Sequence, residues 1–257
     1  PVVANCESGW DTPPKTLPPS EDNMTSNDLI GLIASYVYAF GLLGLAEAIR
    51  KWRGYPQSFT RKLVHIGAGM WAWGTLALFD TWQIGLIPFS SFILFNYLFY
   101  RFTLLRAMDS EDSSPGTVYF AFSIALLYAL FWRTDGGQDW AVVATGGTMA
   151  MTWGDALACI VGERWGRHPY VRQGHRRTWE GSAAMFLSSL VAVTLTLWRL
   201  PGSSLSPTAD PIAFGPALGY AFAASLVATL AEGISPAGTD NLSVPLLTAA
   251  TLYGLLA

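Results

Sequence analysis

The chain has 257 residues, of which 51% are hydrophobic and 13% charged, with a formal net charge of −3. Soluble domains carry about 25% charged residues, so half that value excludes an ordinary water-soluble globule and points to lipid as the solvent. Eleven Trp and 14% aromatics agree, because Trp and Tyr collect at membrane–water boundaries, and nothing resembles a nucleic-acid-binding surface.

Residues 1–28 are rich in Pro, Ser and acids without apolar periodicity, and read as a disordered tail. Met24, followed by the helix-opening Thr25-Ser26-Asn27-Asp28, is a candidate start, with residues 1–23 then an upstream extension or a transit remnant. No basic stretch precedes a short apolar run here, so no cleavable signal peptide is expected. Cys6 in the tail and Cys159 in an apolar segment are too far apart to bridge; Cys159 reads as packing.

A span needs about 17–25 apolar residues. Eight candidates follow in chain order, at roughly 29–49, 63–80, 82–100, 116–133, 139–162, 181–199, 213–233 and 241–257. The fold class expected is therefore all-α: a polytopic membrane bundle of about eight transmembrane helices, or seven, forming a single domain over 29–257.

Twelve of the fifteen Lys and Arg residues lie in the gaps after spans one, three and five, at 50–62, 101–106 and 164–177. Cations mark cytoplasmic loops, so both termini are placed on the non-cytoplasmic side. Spans two, four, six and eight then begin at the cytoplasmic face. Their unpaired N–H groups and partial positive charge suit phosphate there.

Four motifs carry candidate chemistry. In RKLVHIGAG (61–69), Arg61 and Lys62 precede the second span and His65 shares a helical face with Arg61, which invites a common anion. In MTWGDALACIVGERWG (151–166), Asp155 lies about 10 Å inside the fifth span, where a carboxylate needs a partner or a function. Gly154, Gly162 and Gly166 allow close backbone approach around it. In RRTWEGS (176–182), Thr178 caps span six behind Arg176 and Arg177, with Glu180 in the first turn and Gly181 beside it. Glu232, Asp240 and Asn241 flank an acidic gap without Lys or Arg before span eight, opposite the Arg-rich loops.

Three further features read as bland. Asp109, Glu111 and Asp112 are solvated surface, Glu47 is a partner for a nearby cation, and the aromatic stretch 89–102 faces lipid or beds a hydrocarbon tail.

Together RKLVHIG (61–67), GDALACIVGERWG (154–166), RTWEGS (177–182) and DNLSVPL (240–246) resemble the CTP-dependent membrane polyprenol kinases, most closely the phytol kinase branch and more distantly dolichol kinases. The resemblance implies an integral membrane kinase that moves the γ-phosphate of CTP, or another nucleoside triphosphate, to a long-chain isoprenoid alcohol with Mg²⁺. Phytol is the expected acceptor, with geranylgeraniol and farnesol as alternatives, which connects the reaction to chlorophyll salvage and tocopherol supply. Asp155 and Asp240 are then the leading metal ligands, with Glu180 and Glu232 as further carboxylates. Arg61, Lys62, Arg176 and Arg177 would hold phosphates, and Gly162, Gly166, Thr178, Gly181 and Asn241 complete the nucleotide-binding set. Either Asp155 or His65 would orient or deprotonate the alcohol. The family usually has Lys where this chain has Arg177, which keeps the charge but offers a bidentate fork.

Two rival functions bear different marks. A phosphatidate cytidylyltransferase would carry a late Lys-Asp-x-x-Asp arrangement, which is missing here. A transporter would place polar residues at depth on several spans and motifs at both faces.

Overall fold

The structure, a computed structural model, describes residues 24–102, 115–133, 139–172, 175–236 and 238–257. Residues 1–23 with Cys6, together with Arg106, Asp109, Glu111 and Asp112, lie outside the described residues. Among the described residues the chain forms eight helices: α1 (Ser26–Arg53), α2 (Gln57–Leu78), α3 (Trp82–Phe102), α4 (Gly116–Phe131), α5 (Ala141–Trp165), α6 (Trp179–Arg199), α7 (Phe214–Ile234) and α8 (Asp240–Leu256). The all-α expectation needs one correction. Between α5 and α6 lies an antiparallel hairpin of β1 (Pro169–Arg172) and β2 (His175–Thr178), with Pro169 opposite Thr178.

Local chemistry sets the helix ends. A capping box starts α1: the Thr25 hydroxyl accepts from the Asp28 N–H, and the Asp28 carboxylate accepts from the Thr25 N–H. The helix stops at Gly54, whose φ of 65° is left-handed, just after the cations Arg50, Lys51 and Arg53. Glu47 pairs with Arg50 at 2.8 Å and with Lys51 at 3.5 Å, as expected of it.

The second helix begins at Gln57, six residues before the apolar run suggests, with extended Pro56 at its N-cap. The polar residues 57–62 lower the hydropathy, yet they contain no helix breaker. As a result Arg61 and Lys62 lie inside α2 rather than ahead of it, and His65 sits two turns in.

Helix ends meet in two groups, so the bundle alternates up and down. At one end Thr25 donates to Asp80 (2.8 Å) and buried Asp28 accepts from the N–H groups of Asp80 and Thr81 (3.0 Å each). At that end too, Ser206 after α6 donates to Asp139 before α5 (2.7 Å). At the other end Ser58 of α2 donates to Glu163 of α5 (3.0 Å). There, a Cβ built on Gly116, the first residue of α4, would lie 2.9 Å from Arg61 and 3.0 Å from Asn241 of α8.

Packing centres on α5. Its residues Ala141–Thr152 are all buried, and it touches α2, α4, α6, α7 and α8. Ala, Gly and Thr dominate its interior face because small residues let helix backbones approach closely. A methyl on Gly69 of α2 would overlap Thr152, and one on Gly154 would overlap Met185 and Ser189 of α6. Gly69→Ala should therefore destabilise the fold by about 1–3 kcal/mol, read as a lower thermal midpoint by circular dichroism in detergent. An unchanged midpoint would mean that the α2–α5 contact is slack.

Four helices, α1, α3, α6 and α7, are long and apolar enough to cross a membrane. Their outer faces carry exposed apolar residues at helical spacing, such as Leu187, Val191 and Leu195 on α6 and Leu218, Phe222, Leu226 and Leu230 on α7. Stripes this long on helix surfaces suit contact with lipid chains.

Candidate active site

Two helices bring a cation, an imidazole and a carboxylate together inside the bundle. Lys62 Nζ of α2 lies 2.6 Å from Asp155 Oδ2 of α5, and His65 Nε2 lies 3.5 Å from the same oxygen. The three side chains are 15%, 9% and 9% exposed in the order Lys62, His65, Asp155. A buried carboxylate is tolerated only when a neighbour compensates its lost hydration, and Lys62 does that here. The imidazole packs on the Phe120 ring with centroids 4.3 Å apart, and its Nε2 is 3.3 Å from the Met151 carbonyl. Both neighbours of Nε2 accept hydrogen bonds, so that nitrogen carries the proton and Nδ1 keeps the free lone pair.

A second polar group adjoins the first. Arg177, the third residue of β2, reaches the carboxylate and the backbone carbonyl of Glu232 near the end of α7. It also donates to the Ser235 carbonyl at 2.9 Å and lies 3.9 Å from Asp240 Oδ2 at the start of α8. Asp240 is held in turn by the Asn241 N–H at 2.9 Å and its side-chain amide at 3.2 Å. Asp155, Glu232, Asp240 and Lys62 all lie within electrostatic reach of one another.

The geometry sorts the residues expected at the site. Lys62, His65, Asp155, Arg177, Glu232, Asp240 and Asn241 come together at one end of the bundle, with Arg61 beside Asn241 across Gly116. Arg177 differs from the free phosphate ligand expected of it, because the protein's own acceptors already occupy its fork. Glu180 turns to the hairpin, where it accepts from the His168 N–H at 3.2 Å and meets His168 Nδ1 at 2.6 Å. Arg176 is exposed on β2. Thr178 caps α6 as expected, accepting from the Gly181 N–H at 3.1 Å.

The glycines serve packing. Cβ atoms on Gly162 and Gly181 would crowd Thr178, and one on Gly181 would sit 2.9 Å from the Ala158 carbonyl. These positions hold the α5 and α6 backbones close, with Gly166 tucked under Thr178. Cys159, one turn after Asp155 on α5, is half-buried, donates to Glu163 at 3.4 Å and lies within electrostatic reach of Lys62 and Asp155.

An elongated pocket opens beside the cluster, with a cavity volume of about 100 Å³. Arg61, Lys62, His65, Thr117 and Asn241 form its polar end, and apolar side chains of α1–α4 form the rest. Thr117, missed by the sequence reading, is one Thr in an apolar helix, and nothing in its local pattern sets it apart. Asn96 orients its backbone by donating to the Thr117 carbonyl at 3.0 Å. Among the described residues no three His, Cys, Asp or Glu side chains converge as a preformed metal cage would require.

A phytol kinase from Synechocystis sp. is 34% identical to this chain over 223 residues, covering 84% of this chain and 87% of that protein. The chain belongs to the phytol kinase family. It is a kinase, a phosphotransferase with an alcohol acceptor. Two plant proteins are also similar. A probable phytol kinase, chloroplastic, from Triticum aestivum is 26% identical over 227 residues, covering 82% of this chain and 71% of its own. A probable phytol kinase 2, chloroplastic, from Oryza sativa subsp. japonica is 27% identical over 247 residues, covering 89% and 76%. No family model and no solved structure matches the chain.

Proposed function

We propose that this protein transfers the γ-phosphoryl group of CTP to the hydroxyl of a long-chain isoprenoid alcohol, phytol first and geranylgeraniol or farnesol next, releasing CDP. The observation that carries this reading is the Lys62–His65–Asp155 cluster, whose Lys62 and His65 stand at the polar end of an otherwise apolar pocket. CTP as donor rests on the resemblance to the polyprenol kinases.

The alcohol oxygen bonds to the γ-phosphorus as the bond from that phosphorus to its bridging oxygen breaks. The hydroxyl proton passes to the Asp155 carboxylate, which lies beside His65 and Lys62. Lys62 then turns its ammonium to the transferring phosphoryl oxygens, and Arg61 adds a second cation. Such transfer is mostly positioning and neutralisation of charge. Mg²⁺ supplies charge neutralisation on the phosphates when bound; beside phosphates it takes only one or two protein carboxylates. Asp240 and Glu232 would hold it, which accords with acids grouped in a pair rather than a closed cage.

We read all eight helices as crossing the bilayer, with the site at the cytoplasmic or stromal-equivalent face and both termini opposite. The strong bias of Lys and Arg toward the site end supports this. The product, phytyl monophosphate, would feed tocopherol synthesis and recover phytol released from chlorophyll.

Purified protein in lipid nanodiscs with phytol and Mg²⁺ should move label from [γ-³²P]CTP into the lipid fraction. Lipid labelled only from [α-³²P]CTP would make the protein a cytidylyltransferase and overturn the reading. Parallel reactions with UTP and ATP rank the donors.

A further inference from the structure

The pocket beside the cluster has the shape of a molecule with one polar end. Its lining changes with depth along four helices. On α2 it runs from Arg61 and Lys62 past His65 to Ala68 and then Trp71, about 15 Å at 1.5 Å per residue. On α4 it descends from Thr117 through Ala121 to Ile124, while the antiparallel α1 and α3 supply Ala39, Ser35, Phe92 and Phe89 at matching levels. Past the first turn every charged group is gone.

The far end is lined by a braced aromatic pair. The Trp71 indole N–H donates to buried Ser35 at 3.0 Å, and its ring stacks on Tyr38 with centroids 4.5 Å apart. The Tyr38 hydroxyl is fixed in turn on the Gly67 carbonyl at 2.8 Å. Three contacts thus lock the floor in one arrangement.

The polar end holds two unmet hydrogen-bonding atoms. Thr117 is 8% exposed and Asn241 6%, and both line the pocket. Among the described residues neither Thr117 Oγ1 nor Asn241 Oδ1 has a hydrogen-bond partner. Buried polar atoms are almost always paired, and these two, which have no open surface as they stand, call for a ligand group that can pair with them once the Thr117 and Asn241 side chains turn toward the pocket. A hydroxyl donates one hydrogen bond and accepts others, which suits an amide oxygen and a threonine hydroxyl together.

We propose that the isoprenoid alcohol binds inside this pocket rather than lying along the outer lipid-facing helices. Its hydroxyl pairs with Thr117 and Asn241 beside Lys62 and His65, and its tail runs down to Trp71, which sets the longest chain the pocket accepts. A nucleotide base is a poor occupant of the deep end, because no charged group and few free polar groups line it. A hydrocarbon chain left in the bilayer would leave the two orphan atoms unpaired. This inference rests on the alcohol kinase reading and adds where the alcohol sits and what limits its length.

The deciding experiment is photo-crosslinking of the wild-type protein with a geranylgeraniol analogue bearing a diazirine at its tail end, followed by peptide mass spectrometry. Label on Trp71, Ser35, Phe89 or Ile124 is expected. Label confined to the exposed stripes of α6 and α7 overturns the proposal. Binding needs no turnover, so this result stands apart from the kinase assay, whose failure with alcohols of every length would sink the functional reading instead.

A companion variant, Ala68→Phe, fills the middle of the pocket. It should lower the ratio of kcat/KM for geranylgeraniol over geraniol on the order of tenfold or more, because a filled hydrophobic pocket discriminates by chain volume. An unchanged ratio in folded protein overturns the role of the pocket in length selection. Should the variant fail to fold, crosslinking of the wild type decides alone.

Discussion

Asp155→Asn is expected to lower kcat for phytol phosphorylation by about 10²–10⁴-fold, the range a positioned general base contributes. Asn keeps the shape of Asp but neither takes a proton nor balances Lys62. The variant is also expected to lose stability, since it leaves the Lys62 ammonium buried against a neutral amide at a contact that measures 2.6 Å in the native protein. Breaking a buried pair by removing one partner costs about 3–5 kcal/mol. Lost activity alone could then reflect lost fold, and a double variant separates the two. In Lys62→Met/Asp155→Leu both charges are gone, and replacing a whole buried pair by apolar residues is often neutral for stability. A thermal midpoint near wild type with no phosphotransfer would assign the Lys62–Asp155 pair to chemistry rather than to stability. Near-normal turnover in Asp155→Asn would remove Asp155 from the mechanism.

Arg177→Met should be the most destabilising single change in the hairpin, by about 3–5 kcal/mol. Arg177 holds β2 to the end of α7 through the Glu232 carboxylate and the Ser235 carbonyl, and it faces Asp240 on α8. Its loss leaves Glu232 buried without its cation and detaches the hairpin from two helices at once. Arg177→Lys should recover only part of the loss, because one ammonium cannot reproduce a planar fork spread over several acceptors. Thermal unfolding of the three proteins in one detergent checks the order wild type, Lys, Met. If Lys equals Arg, point charge suffices here and the fork geometry has no role.

The helices were largely legible in the sequence because apolar segments report themselves directly, and among the described residues four of them reach membrane length and hydropathy. Thr25 and Thr178 marked helix ends through caps whose chemistry is local. The start of α2 was hidden because residues 57–62 are polar yet helical, so hydropathy and conformation part company there. The hairpin was hidden for another reason. Two four-residue strands depend on cross-strand pairing, and PYVR and HRRT show no alternation to signal it.

The site was half legible. Asp155 stood out as an acid in an apolar run, but its partner lies 93 residues earlier on another helix, and no local pattern links the two. Arg177 looked like a phosphate ligand because its sequence neighbours are cations, whereas its contacts come from α7 and α8. The aromatic run 89–102 was read as lipid face or tail bed, and the structure divides it between pocket lining and exposed surface. Phe89 and Phe92 line the pocket, while Leu94, Tyr97 and Phe102 point outward. Helical phase, which composition lacks, makes the division.

The buried, Gly- and Thr-rich helix α5 bears on how the chain is assembled. A helix enters a bilayer on its own by exchanging apolar side chains for lipid, and a central Asp adds about 2.5–3.5 kcal/mol against that step. With Ala, Gly and Thr along its length and Asp155 in it, α5 gains little from such an exchange. As the spanning helix we propose it to be, α5 would draw its stability from neighbours already in place: Lys62 of α2 to neutralise the acid, and α6 and α8 to cover its small-residue faces. On the reading proposed above, the carboxylate that takes the hydroxyl proton also makes α5 dependent on companions for insertion. Synthesis halted after α5 should leave this segment extractable by alkaline carbonate, whereas chains extended through α8 should resist extraction.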